Sequence, residues 1–190
     1  MRIKICGITR PEDARFAETE GADAIGVVLF SNSKRSVAPE QAQKIFDAVG
    51  PFTATVAVTH TQSMEELKEI IALYPSAIQI FHPFVFDKQP GPKIIRVIAR
   101  GDPLPEDCAA VIVDESHGGG TLFDTDHAKE VVKHSRVPVI LAGGLTPENV
   151  GRAIREVQPY AVDVASGVEI SPGIKDHGKI RAFIAASRSV

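Results

Sequence analysis

Arg2-Ile3-Lys4-Ile5-Cys6-Gly7-Ile8-Thr9-Arg10-Pro11-Glu12 places a strand, a turn and a helix start within eleven residues. The run Arg2 to Cys6 reads as a short strand. Gly7 turns the chain, Thr9 lies near an N-cap, Pro11 takes the first helical position and Glu12 adds an acid to the first turn. The same unit recurs along the chain. Further strands are expected over Ala24 to Leu29, Thr53 to Thr59, Ala77 to Ile80, Ile94 to Ala99, Ala109 to Val113, Val137 to Leu141 and Ala161 to Val164. Helices are expected over Pro11 to Glu20, Pro39 to Val49, Ser63 to Leu73, Thr125 to His134, Thr146 to Val157 and His177 to Ala186. Gly21 is a candidate left-handed C-cap of the first, and Thr146-Pro147-Glu148 repeats the Thr-Pro-acid helix start.

Strands alternating with helices form βαβ units around a parallel sheet. Eight such strands favour a single-domain (β/α)8 barrel over residues 1–190, with a doubly wound open sheet as the alternative. The chain is short for that barrel. Phe81 to Pro92 and Gly101 to Cys108 hold no convincing helix, so the fourth and fifth helices are expected to be short or missing. Phe81, Phe84 and Phe86 then either form an exposed apolar patch or fill the gap left by a helix.

Composition narrows the functions. A net charge of -3 supplies no basic surplus for a phosphate backbone, so no nucleic-acid partner is expected. No apolar run approaches a membrane span, and no membrane partner is expected. The two cysteines, Cys6 and Cys108, make no disulfide framework, and no Cys/His cluster has metal spacing. No signal-peptide pattern precedes the first strand, and a reducing cytoplasm is the expected location.

Parity assigns the chemistry. Arg2, Lys4 and Cys6 share one face of the first strand, and Ile3 and Ile5 the other. In a barrel the mixed face points inward, and Cys6 is displayed at the carboxyl edge of the sheet, where active sites of this fold lie. First and last strands are neighbours in a closed barrel, so Lys4 and Asp163 are expected to meet inside it, as a structural ion pair or as part of a site. Gly143-Gly144 and Ser166-Gly167 follow the seventh and eighth strands. Bare glycine amides there suit an anion, and two tight turns are the plainer reading. Asp114 to Asp124 is a long loop with Gly118-Gly119-Gly120 and is expected to be a mobile active-site loop. Asp124 is either an acid of that site or an N-cap. Arg35, in Ser33-Lys34-Arg35, is able to grip a carboxylate in bidentate fashion, or belongs to a solvated loop.

Together these stretches resemble the phosphoribosylanthranilate isomerase family. The likeness rests on Lys4 to Thr9, Gly21 to Gly26, Ser33 to Arg35, Gly118 to Asp124, Ala142 to Val150, Val162 to Glu169, Pro172-Gly173 and Lys175 to His177. It implies a (β/α)8 barrel that performs an Amadori rearrangement of a small phosphoribosyl substrate, without metal or organic cofactor, as a monomer or homodimer. By the same resemblance, Cys6 is the general base and Asp124 the general acid. Arg35, Asp163 and His82 bind substrate, while Gly143, Gly144, Ser166 and Gly167 hold its phosphate. The chain departs from the family pattern at Thr59-His60, Phe81-His82, Thr125 and Ala165, which touches the wall of the aryl pocket and the role of His82. Two rival readings are a histidine-pathway isomerase, whose base at this position is usually Asp, and a non-catalytic phosphate-binding barrel. Cys6 opposes the first, and retention of both Cys6 and Asp124 opposes the second.

Overall fold

The computed structural model describes residues 1–86, 90–114 and 124–190. Eight parallel strands close into a barrel in sequential order. They are β1 (Arg2–Ile5), β2 (Ala24–Leu29), β3 (Ala54–Thr59), β4 (Ala77–Ile80), β5 (Lys93–Ile98), β6 (Ala110–Val113), β7 (Val139–Leu141) and β8 (Ala161–Val164). The described helices are α1 (Pro11–Glu20), α2 (Pro39–Phe46), α3 (Met64–Ala72), α4 (Thr125–His134), α5 (Val150–Val157) and α6 (His177–Arg188). Among the described residues no helix joins β4 to β5 or β5 to β6. Phe84 is buried there and Phe86 packs partly against the same core, so these two occupy the place of a helix, while Phe81 packs against the inner core.

The alternation along β1 decides the two cores. Ile3 and Ile5 are fully buried with Ile25, Val27, Ile78 and Val162 in the layer between strands and helices. Lys4 and Cys6 point inward, toward a second core that holds Val28, Val56, Val58, Ile95, Val97, Ile112 and Ile140. The barrel closes through β1 and β8, with Lys4 paired in register to Asp163.

Gly26 on β2 is the small residue that this interior requires. A Cβ there would stand 2.8 Å from the Cys6 Sγ, 3.1 Å from the Lys4 Cε and 3.2 Å from the Cys6 Cα. The missing side chain makes the room in which the thiol and the ammonium stem lie.

One helix start keeps to the sequence pattern and one departs from it. Pro11 is the first residue of α1 as expected, but the N-cap is Arg10, and the Thr9 hydroxyl donates instead to the Gly173 carbonyl at 2.5 Å. Helix α5 begins at Val150, not Thr146. Asn149 intervenes: its Oδ1 accepts the Thr146 amide at 2.8 Å and its Nδ2 donates to the Gly144 carbonyl at 2.8 Å, making a turn before the helix. Gly21 ends α1 in the left-handed region at φ 101°, as its position suggests.

Helix α6 covers α1 through a polar and aromatic seam. The fully buried Asp13 carboxylate accepts from Arg10 Nε and Nη2, each at 3.0 Å, and lies 2.9 Å from His177 Nε2. The His177 ring stacks on Phe16 at 3.9 Å, and Arg181 pairs with Glu20.

Gly26→Ala is expected to lower folding stability by about 1–3 kcal/mol, because its methyl overlaps the thiol and the β1 backbone. Urea unfolding monitored by circular dichroism measures this, and a midpoint equal to the parent's would mean the interior has slack at that point.

Candidate active site

At the carboxyl end of the barrel, Cys6, Gly7, Arg35, His60, Gln79, Phe81, Asp114 and Asp163 line one cavity. The topology gathers them from the ends of six strands or the loops that follow. Cys6, Arg35 and Asp163, taken separately from the sequence, are brought together here.

The floor is a buried polar cluster. Lys4 Nζ is 3.0 Å from Asp163 Oδ1 and 3.1 Å from Gln79 Oε1. Lys4 is 4% exposed and Asp163 7% exposed, so both charges have left water. Burial works against the Lys4 ammonium, but the Asp163 carboxylate and then Cys6 outweigh it and hold its pKa above the ordinary lysine value. Burial likewise pushes the Asp163 carboxyl up, and Lys4 draws it back. The Cys6 thiol is also raised by burial, with Lys4 the largest opposing influence. Free Cys6 therefore rests as a thiol, beside a cation that favours its ionised form.

Arg35 lies against a second buried cluster. Its Nε donates to Glu169 Oε1 at 2.9 Å and its Nη2 to Oε2 at 2.7 Å. The bidentate geometry expected toward a ligand carboxylate is thus made to Glu169, and the Nη1 amino group lies outside that pair. Lys175, 2% exposed, donates to the same Oε1 at 3.0 Å and to the Ala165 carbonyl at 2.9 Å. Burial favours the protonated form of Glu169, yet Arg35 and Lys175 overcome it and keep its pKa below the usual carboxylate range. Glu169 and Lys175 sit on a small antiparallel hairpin, β9 (Glu169–Ser171) and β10 (Ile174–Lys175). The strand pattern alone did not indicate this hairpin, and the motif Ser166 to Glu169 carried no sign that its last residue would hold Arg35.

Gly143 and Gly144 adopt φ of 88° and 61°, a conformation that glycine takes without strain. Gly167 opens the loop after β8 within a short 3-10 turn, Ser166–Val168. A Cβ on it would stand 2.0 Å from the Leu145 carbonyl oxygen, so the two glycine loops meet backbone to backbone. Ser166 is exposed beside them.

Asp124 and His82 each have local partners of their own. Asp124 caps α4, accepting from the amides of Asp126 and His127 at 3.0 and 3.1 Å, and pairs with Arg100 at 2.7 Å. The His127 amide is the largest influence holding its carboxyl below the ordinary range, and Arg100 adds to it. His82 turns its ring edge-on to Phe84, because that phenylalanine is drawn into the core. His60 is the histidine that lines the cavity. Residues 115–123, including the triple glycine expected to form a mobile loop, lie outside the described residues. Among the described residues no group of His, Cys, Asp and Glu is placed to hold a metal ion, and no helix is long and apolar enough to cross a membrane.

The family model described as N-(5'-phosphoribosyl)anthranilate (PRA) isomerase matches residues 3–88 and 98–186. An N-(5'-phosphoribosyl)anthranilate isomerase of Methanoregula boonei is 66% identical over 189 residues, covering 99% of this chain and 97% of the relative. The crystal structure of phosphoribosyl anthranilate isomerase from Thermus thermophilus superposes with a TM-score of 0.86 at 36% identity, covering 100% and 99% of the two chains. A solved phosphoribosyl anthranilate isomerase in complex with reduced 1-(o-carboxyphenylamino)-1-deoxyribulose 5-phosphate superposes at 0.82, with 32% identity and full coverage of both chains.

Lys4→Met is expected to move the pH midpoint of Cys6 alkylation upward, since it removes the charge that favours the thiolate. Mass spectrometry of the Cys6 peptide, in protein shown to be folded, separates it from Cys108. An unchanged midpoint would break the link between the ion pair and the thiol.

Proposed function

The chain belongs to the N-(5'-phosphoribosyl)anthranilate isomerase family, and we propose that Cys6 and Asp124 carry out that family's Amadori rearrangement in it. The reaction converts N-(5'-phosphoribosyl)anthranilate to 1-(o-carboxyphenylamino)-1-deoxyribulose 5-phosphate, an aldose-to-ketose isomerisation in tryptophan biosynthesis. The observation that carries the assignment of the base is the convergence of Cys6, Arg35 and Asp163 on one cavity at the carboxyl end of the barrel.

Two proton transfers are required. An acid protonates the ribose ring oxygen, the bond from C1 to that oxygen breaks, and the anthranilate nitrogen takes up the positive charge as an iminium. A base then removes the proton from C2, and the enol formed becomes the ketone. Cys6 is the base: as the thiolate, the form that the Lys4 charge favours against burial, it takes the C2 proton onto its sulfur and becomes a thiol. Asp163, held by Lys4, steadies the positive charge that develops on nitrogen. Asp124 is the acid. Its cap amides and Arg100 keep it ionised in the free protein, so bound substrate must displace Arg100 or exclude water before it carries a proton.

Gly143, Gly144, Ser166 and Gly167 receive the single phosphate on their amides and hydroxyl, a job suited to two loops fixed against each other by Gly167 and Leu145. Arg35 meets the anthranilate carboxylate through the amino group that the Glu169 pair leaves aside. His82, its ring edge-on to Phe84, is assigned to substrate binding by the family resemblance. The chain acts in the cytoplasm, as a monomer or homodimer, on a small molecule.

Substrate made in place from anthranilate, phosphoribosyl pyrophosphate and an anthranilate phosphoribosyltransferase is expected to lose its fluorescence on addition of this protein. Cys6→Ser and Asp124→Asn are each expected to lower kcat by about 10²–10⁴-fold with folding unchanged. Full activity in Asp124→Asn, with loss in Asp114→Asn, would move the acid to the carboxylate on the cavity wall.

A further inference from the structure

We propose that Gln79 is a further substrate-binding residue of this site, donating from its Nε2 amino group to the oxygen on C2, the carbon that loses its proton. This rests on the substrate reading above and adds a residue to it.

Gln79 is the third residue of β4. Strand parity turns it inward with Ala77, while Ile78 and Ile80 pack in the outer layer. It is 4% exposed, yet it lines the cavity together with Cys6 and Asp163. A side-chain amide has an oxygen that accepts and an amino group that donates. The oxygen is taken, since Oε1 accepts from Lys4 Nζ at 3.1 Å. An ammonium only donates, so this contact fixes which way round the amide stands. Nε2 is the arm left for the cavity, and among the described residues it donates to no protein atom. A donor held this deep gains most from an acceptor that a ligand brings.

The position selects the acceptor. Lys4 Nζ touches both Gln79 and Asp163. Its Cε and the Cys6 Sγ crowd one point beside Gly26, at 3.1 and 2.8 Å from a Cβ placed there. The amide and the thiol therefore reach a ligand from the same floor. In the ring of eight strands β4 stands opposite β8, so Gln79 comes from the wall facing the proposed phosphate loops. When the C2 hydrogen faces Cys6, the oxygen on the same carbon is the acceptor beside it. The nitrogen on C1 gives its lone pair to the iminium and accepts nothing. The C2 oxygen is a hydroxyl in the substrate and a carbonyl in the product. A carbonyl oxygen only accepts, so an amino group serves both ends of the reaction, where a carboxylate would serve the first alone.

The test measures three ligands by isothermal titration. They are 1-(o-carboxyphenylamino)-1-deoxyribulose 5-phosphate, which is a ketone at C2, its reduced form, which has a hydroxyl there, and an analogue with two hydrogens on C2. The unsubstituted protein is expected to bind the ketone about fivefold more tightly than the analogue without the oxygen, the size of one hydrogen bond. Gln79→Met keeps the length of the side chain and is expected to cut that preference to less than about twofold. Whatever the floor loses when Lys4 gives up an acceptor weakens both ligands alike and cancels in this comparison. Gln79→Glu keeps an acceptor for Lys4 and decides the matter if Gln79→Met does not fold. It is expected to weaken the ketone about tenfold more than the reduced ligand, whose hydroxyl donates to the carboxylate. A preference that survives Gln79→Met, or equal weakening of ketone and reduced ligand by Gln79→Glu, would overturn the proposal. An unsubstituted protein that binds all three ligands equally would overturn this contact and leave the substrate reading standing, whereas one that binds none would overturn both.

Discussion

A lysine ammonium and an aspartate carboxylate, 3.0 Å apart inside a closed barrel, are the constraint around which the rest is arranged. Neither charge tolerates that interior alone, since an unpaired buried ion costs several kcal/mol. Their attraction offsets the loss of water only with close geometry, and Gln79 supplies a further acceptor to the ammonium. The pair joins the first strand to the last, so its formation and the closure of the sheet are one event. It also sets the neighbourhood of Cys6. A thiol in an apolar interior would be inert, whereas the cation beside this one favours its ionised form.

A second charge cluster fixes Arg35 much as the first fixes Lys4. Glu169 holds Arg35 by two of its donors, and Lys175 holds Glu169. The guanidinium is therefore positioned before any ligand arrives, so that less freedom is lost on binding. The cluster also ties the hairpin after β8 to the loop after β2, bridging the end of β1 through side chains.

Much of this was legible in the sequence. Strand parity put Lys4 and Cys6 inside and Ile3 and Ile5 outside, because a period of two is a local property of the chain. The pairing of Lys4 with Asp163 followed from closure alone. That no helix follows β4 or β5 among the described residues showed in the proline-rich Phe81 to Pro92 and the short Gly101 to Cys108. What was hidden depends on contacts between distant residues. Glu169 reaches Arg35 across 134 positions of sequence, and no local pattern encodes that. The start of α5 was misplaced because Thr146 and Pro147 imitate a helix start, while the Asn149 side chain turns the chain first. His82 was named from the family resemblance, whereas the place of His60 on the cavity wall comes from the fold of the strands around it. The rearrangement itself was read from a resemblance, and the family match and relatives place the chain among these isomerases ahead of the histidine-pathway rival.

The seam between α1 and α6 has a consequence for how the chain is made. It joins residues 10–20 to residues 177–188, so α1 leaves the ribosome well over a hundred residues before the helix that covers it. Until then Asp13 keeps Arg10 for company but lacks His177, and the apolar face of α1 has no lid. Contacts of such long sequence separation form late and slowly. Nascent chain therefore passes through a stage in which its amino-terminal strands are assembled but unsealed, the interval in which a chaperone has most to offer.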